Sequence, residues 1–352
     1  MTDDLDPLRQ LRPDRLQPDD PIDPEVLTQE RDRLMSSIQG TTADPAAGRD
    51  TPSIYPRLAY EDEVAALEFL TRAFGFRERR EARMEHPEGM LAWLEVGDGV
   101  VMIGRAGAHR HDLHSPLETG KTTAMVNVYV DDVDSHYHQA VAAGARIVMS
   151  LEDMFWGDRR YEALDPEGHR WHFAERLSAI RDRLGHPEGG TEDIELTKEK
   201  LMTTLDRAKP AVANPPTGVP RILPHLIYDD VGAAVGWLTE AFGLRERTSA
   251  RHTFPDGVVG RTQMSIADSL ITIGQPSIHG ESPQQGVSSM LYIYVDDVDK
   301  HYQRAKAAGA TVVSELDDQP WGDRRYQAAD PEGHQWTFAQ HTHDADPNED
   351  CH

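Results

Sequence analysis

The sequence predicts an α+β protein of two tandem domains, each made of two βαβββ modules. Three observations carry that expectation: a long internal repeat, strand and helix periods that alternate twice inside each copy, and turn residues at matching places in both. In the repeat, Ala73-Phe74-Gly75-Phe76-Arg77-Glu78-Arg79 returns as Ala241-Phe242-Gly243-Leu244-Arg245-Glu246-Arg247, and Val130-Asp131-Asp132-Val133-Asp134 returns as Val295-Asp296-Asp297-Val298-Asp299. Trp156-Gly157-Asp158-Arg159-Arg160-Tyr161 matches Trp321-Gly322-Asp323-Arg324-Arg325-Tyr326, and each is followed by Asp-Pro-Glu-Gly-His, at 165–169 and 330–334. The period is far longer than that of stacked solenoid repeats, so each copy reads as an independent domain, at 54–176 and 221–341.

Within the first copy, an apolar strand over 54–60 leads into a helix capped near Asp62. Val64, Leu67, Leu70 and Phe74 recur at helical spacing, and Gly75 ends the run. Strands are expected at 79–85, 90–96 and 100–104, the last two joined by the Gly97-Asp98-Gly99 turn. The pattern restarts with a strand at 124–130, a helix from Asp132 to Gly144, and strands at 146–150, through Tyr161 and Glu162, and at 171–174. Asp165-Pro166-Glu167-Gly168 closes the last two into a hairpin, because Pro and Gly stand where a tight reversal accepts them. The second copy repeats every element.

Outside the copies, residues 1–53 are rich in Asp, Pro and Arg and are expected to be mostly disordered, with a short helix over 24–38. Residues 177–220 read as a linker with one helix over 195–208, and 342–352 as a disordered acidic tail. The two helices echo each other, as Val26-Leu27-Thr28 against Glu195-Leu196-Thr197. That fits either a pair of docking helices or the ordinary similarity of amphipathic segments.

The formal charge of −25 over 352 residues disfavours nucleic acid and anionic membranes as partners and leaves a cationic ligand open. The only cysteine, Cys351, can build neither a disulfide framework nor a thiolate cluster. With no apolar run of membrane-spanning length and no signal-peptide pattern at Met1-Thr2-Asp3-Asp4, a cytoplasmic protein is expected. Glycine motifs for phosphate, Gly-x-Ser-x-Gly and a nucleophilic cysteine are missing from the sequence, so nucleotide-dependent and covalent hydrolase chemistry have no support.

The Ala-Phe-Gly helix end, the Val-Asp-Asp-Val-Asp junction and the Asp-Pro-Glu-Gly-His hairpin together resemble the glyoxalase/bleomycin-resistance/dioxygenase (vicinal oxygen chelate) superfamily, across both copies. Trp-Gly-Asp-Arg-Arg-Tyr with the ending Trp-x-Phe-Ala (Trp171 to Ala174, Trp336 to Ala339) is most similar to its PhnB-like branch. The resemblance implies curved mixed sheets around a cleft, with one cavity per domain or cavities shared between domains, and pairing of the two domains within a monomer.

It also implies where a metal would be held, on the first, fourth, fifth and last strands of a domain. In copy one these positions fall on Arg57, near Met102, on Met125 and on His172; in copy two they fall on His225, near Thr272, on Met290 and on Thr337. Each set offers one good nitrogen ligand where a catalytic site normally needs three protein ligands, so no metal or other cofactor is expected. A composite His172/His225 site lacks an identifiable third ligand. The imidazoles at His109, His111 and His114 lie in a connection that holds no geometry.

The expected function is metal-independent binding of a small organic molecule, of the bleomycin-resistance type, with Arg57, Trp93, Met125, Trp156, Arg159, Tyr161, His172, His225, Met290, Trp321, Arg324 and Tyr326 as candidate ligand contacts. The Trp-Gly-Asp-Arg-Arg-Tyr residues serve equally as pocket mouth or as structural turn. The alternatives are a divalent-metal lyase, isomerase or dioxygenase, a metal-free enzyme with His172 or His225 as base, and a protein-docking role for the leader and linker helices.

Overall fold

A computed structural model describes residues 52–85, 87–108, 113–154, 156–183, 213–276, 287–319 and 321–343. The helices expected over 24–38 and 195–208, residues 109–112 of the His-rich loop and the tail beyond 343 lie outside the described residues. The first repeat runs β1 (Ile54–Tyr60), α1 (Glu63–Phe74), β2 (Arg77–Glu78), β3 (Leu91–Val96), β4 (Gly99–Arg105) and a short α2 (Pro116–Thr119). It continues with β5 (Ala124–Tyr129), α3 (Val133–Ala142), β6 (Arg146–Asp153), β7 (Asp158–Leu164), β8 (Arg170–Arg176) and α4 (Leu177–Arg183). The second repeat runs β9 (Ile222–Ile227), α5 (Val231–Phe242), β10 (Arg245–Glu246), β11 (His252–Thr253), β12 (Val259–Ile266) and β13 (Ser269–Gly274). Its second half is β14 (Ser289–Tyr294), α6 (Val298–Ala307), β15 (Thr311–Asp318), β16 (Asp323–Ala329) and β17 (Gln335–His341).

Two mixed sheets result, and neither repeat owns one. The eight-stranded sheet has the order β15-β16-β17-β14-β1-β4-β3-β2, so it joins the first half of repeat one to the second half of repeat two. The nine-stranded sheet, β10-β12-β13-β9-β5-β8-β7-β6 with β11 on β12, joins the two remaining halves. The seams are antiparallel and equivalent: Arg57 faces Met290 across β1/β14, and His225 faces Met125 across β9/β5. The two copies are therefore interleaved, each sheet being completed by strands of both. What does follow the repeats is the helix-side packing. One apolar cluster gathers Leu70, Phe74, Tyr161, Trp171 and Phe173, and another Leu238, Phe242, Tyr326, Trp336 and Phe338.

The repeated motifs hold this arrangement. Asp62, Asp132, Asp230 and Asp297 cap their helices by accepting a backbone N–H from three residues on, and Gly75 and Gly243 end α1 and α5 at φ of 66° and 70°. Asp165 accepts the N–H groups of Glu167, Gly168 and His169 and, on its other oxygen, the Tyr60 hydroxyl at 2.6 Å and the Trp171 indole at 3.0 Å. Glu167 accepts the Glu61 and Asp62 N–H groups at 2.7 and 2.9 Å. The Asp-Pro-Glu-Gly-His hairpin thus ties β8 to the β1–α1 corner, and Asp330 and Glu332 repeat this in the second copy. The strand expected over 79–85 is corrected: β2 has two residues, a 3-10 turn covers Arg80–Ala82, and only Met84 rejoins the sheet, by a bridge to Leu91. The run Arg79-Arg80-Glu81 has no apolar face to bury, which leaves nothing to keep a strand in register.

His301 on α6 is buried between the Tyr326 hydroxyl (Nδ1, 2.6 Å) and the Phe242 carbonyl (Nε2, 3.0 Å). Burial pulls its imidazole from 6.5 down to about 4, and burial also lowers its counterpart His136. The unfolded imidazole takes up a proton as pH falls below its ordinary value while the folded one resists, so stability is lost across that window. Roughly 2 kcal/mol should disappear from this one group between neutral pH and about pH 5. Urea unfolding at both pH values should show the loss, and His301→Gln should flatten it; an equal slope in the variant refutes the assignment.

Candidate functional site

Alternation along the strands decides which side chains face the two concave surfaces. On β1, Leu58 and Tyr60 enter the helix-side core, so Tyr55, Arg57 and Ala59 face the other way. The same rule places Trp93, Met102, Met290, Tyr292 and Ala339 on that concave face, where they form a third apolar cluster with Leu113 and Val287. Tyr55 and Tyr292 stack with ring centroids 5.2 Å apart. Their phenols are pushed well above the usual tyrosine range by burial and, among lesser causes, by the Asp323 carboxylate, so they stay protonated.

In the middle of this cleft stands Arg57, 1 % exposed. Its Nε and Nη2 are buried with no hydrogen-bond partner, and among the described residues no carboxylate pairs with it. Burial first, and the neighbouring Arg325 cation second, pull the guanidinium down to about 9, which leaves it charged at neutral pH. Gly104 makes room for it, since a Cβ there would lie 3.3 Å from Arg57 Nη2 and 2.5 Å from the Leu91 side chain.

The second cleft, in the nine-stranded sheet, has His225 in the place of Arg57, with Gly274 leaving the space: a Cβ there would sit 2.6 Å from His225 Nε2. Its walls are polar. Glu162, 2 % exposed, meets the Arg160 guanidinium, Arg170 Nη1 at 3.1 Å and His172 Nε2 at 3.3 Å. His172 Nδ1 lies 3.1 Å from Asn127 Oδ1. Arg261 adds a further cation, lowered by burial and by its neighbour Arg160. A separate open depression of about 750 Å³ lies against the 165–168 turn and shares only Arg170 with this cluster, so we assign it no role in the cleft.

A family model described as the Glyoxalase/Bleomycin resistance protein/Dioxygenase superfamily matches residues 56–173 and 218–338. The chain belongs to this superfamily. An uncharacterized protein of Mycobacterium bovis is 35% identical over 128 residues, covering 34% of this chain and 83% of that protein. A counterpart in Mycobacterium tuberculosis strain H37Rv matches equally over 74% of its length. Among solved structures, glyoxalase I from Zea mays aligns over 82% of this chain and 91% of its own at 14% identity and TM-score 0.53, a likeness of fold. TioX from Micromonospora sp. ML1 is 32% identical, covering 33% of this chain and 94% of its own, with TM-score 0.29.

Within the superfamily frame, the four ligand positions regroup across the repeats. One cleft holds Arg57, Met102, Met290 and Thr337, and the other His225, Thr272, Met125 and His172. The first set offers neither imidazole nor carboxylate and has a fixed cation at its centre. The second set offers two imidazoles, and the adjacent carboxylate, Glu162, is already shared by two guanidinium groups. Among the described residues no three His, Cys, Asp or Glu side chains are arranged to hold a metal ion. These residues do not fit a catalytic divalent metal.

Of the sequence candidates, Arg57, Trp93 and Met290 come together in one cleft and Met125, His172 and His225 in the other. Trp156 and Trp321 are partly exposed, donate to Asp158 and Asp323 at 3.0 and 3.2 Å, and lie under the Arg160 and Arg325 guanidinium groups. Arg159, Tyr161, Arg324 and Tyr326 point away from the clefts, to the helix side. Arg159 binds Asp134 and Asp153, Arg324 binds Asp299 and Asp318, and both tyrosines are core. Their neighbours Arg160, Glu162, Arg325 and Gln327 face the clefts instead, and Tyr161 as a core residue would have implied this by alternation. The cationic ligand suggested by net charge is also at odds with the lining, since the innermost charge of the eight-stranded sheet's cleft is a guanidinium.

Proposed function

We propose that this chain is a metal-independent binding protein that holds small organic molecules in two clefts, each completed by strands of both repeats, in the manner of the bleomycin-resistance members of its superfamily. The PhnB-like branch is part of this reading and rests on the paired Trp-Gly-Asp-Arg-Arg-Tyr and Trp-x-Phe-Ala elements. The observation that carries the function is Arg57. A buried guanidinium stands at a position where a metal-dependent member needs a ligand, and it would repel a divalent ion by several kcal/mol at that range. Completion of both sheets within one chain supports a monomer. Among the described residues no helix is long and apolar enough to cross a membrane.

Protein purified without a His tag, incubated with Mn, Fe, Ni and Zn and desalted, should retain far less than stoichiometric metal by plasma mass spectrometry. Near-stoichiometric retention of one metal, lost on replacing His172 or His225, would overturn the proposal in favour of a metalloenzyme.

A further inference from the structure

The two clefts share a backbone plan and differ in charge design. Where the nine-stranded sheet presents Glu162 to its cations, the eight-stranded sheet presents Gln327, which donates to Thr337 Oγ1 at 3.2 Å. Arg325 is therefore left without the carboxylate that its counterpart Arg160 meets, and no carboxylate among the described residues pairs with Arg57. Arg325 sits over the Trp321 ring, 5.3 Å from its centroid, toward the rim. Arg57 is deep and unpaired. An uncompensated buried charge is costly, and the arrangement is relieved when a ligand supplies the opposite charge.

From this geometry we infer that the cleft of the eight-stranded sheet receives a flat, apolar monocarboxylate, its carboxylate on the Arg57 guanidinium and its apolar body against Trp93, Tyr292, Met102 and Met290. The inference rests on the binding-protein reading above and names the ligand class for one of its clefts. A guanidinium presents parallel N–H donors that match a carboxylate, which makes such a pair stronger than a neutral hydrogen bond. A single acidic group is specified by Asp323. That carboxylate is already held by the hydroxyls of Tyr292 and Tyr294 at 2.9 and 3.0 Å, Trp321 Nε1 at 3.2 Å and His341 Nδ1 at 3.0 Å, and it would repel a second negative charge. The stacked Tyr55 and Tyr292 rings and the Trp93 indole give a planar body a matching wall.

The test is calorimetric titration of the full chain with 2-naphthoate, with its neutral amide and with 2-naphthylmethylammonium, three probes of one shape and three charges. Naphthoate should bind at least ~10-fold more tightly than either analogue. Arg57→Met should erase that preference, and Gln327→Glu, which places in this cleft the carboxylate the other cleft has, should weaken naphthoate alone. Arg57→Lys, which keeps the charge and loses the fork, should give an intermediate affinity and carries the test with Gln327→Glu if Arg57→Met does not fold. Equal binding of the amide or the ammonium, naphthoate affinity unchanged in Arg57→Met, or no binding of any probe overturns the carboxylate assignment. Failure of the underlying reading shows separately, as stoichiometric metal retention.

Discussion

Replacing Glu162 with Gln is expected to lower the unfolding free energy by about 3–5 kcal/mol, measured by urea denaturation at neutral pH. The carboxylate is 2 % exposed and meets Arg160, Arg170 and His172. Its removal strands two guanidinium groups against the strand wall, and a Gln side chain supplies one neutral acceptor oxygen where both guanidinium groups converge. Part of the loss could be recovered if Arg160 settled further onto Trp156, as Arg325 lies on Trp321. A loss below about 1 kcal/mol would show that water already reaches these cations, which would make the cluster surface-like in its energetics.

Arg57→Met should act in the opposite direction and raise the stability of ligand-free protein by about 1–4 kcal/mol. Arg57 is buried with no counter-ion among the described residues, so the folded state carries the desolvation of a charge and recovers no ion pair for it. Met has a similar length, bends to fit and would join Met102 and Met290 in the apolar lining. The gain should be read from denaturant midpoints at unchanged slope, since a changed slope would mean an altered unfolded or native ensemble. Destabilisation in place of a gain would mean that a counter-charge already reaches Arg57. Taken together, the two substitutions separate a cleft whose buried cations share a carboxylate from one whose innermost cation has none.

Much of this organisation was legible in the residues. Repeated blocks identified two copies, helical spacing ended by Gly75 and Gly243 located α1 and α5, and the Asp caps marked helix starts. All of these depend on contacts within a few residues, where sequence order and spatial order coincide. The strand over 79–85 failed for the same kind of reason, because a charged run carries no face to pair. Arg57 and His225 were also visible as divergent equivalents, since the repeat aligns them directly.

The sequence by itself determined the modules, their caps and hairpins, and the fact that one copy places an arginine where the other places a histidine. Only the tertiary structure decided which modules share a sheet. The Arg57–Met290 and His225–Met125 seams join residues 233 and 100 positions apart, and nothing local distinguishes that pairing from one within a repeat. The same pairing put His172 with His225 and Arg57 with Arg325, and strand alternation turned Arg160 and Glu162 inward while sending Arg159 and Tyr161 to the helices. Charge balance within a cleft is a property of side chains converging from several strands, so it appears only when those strands are assembled.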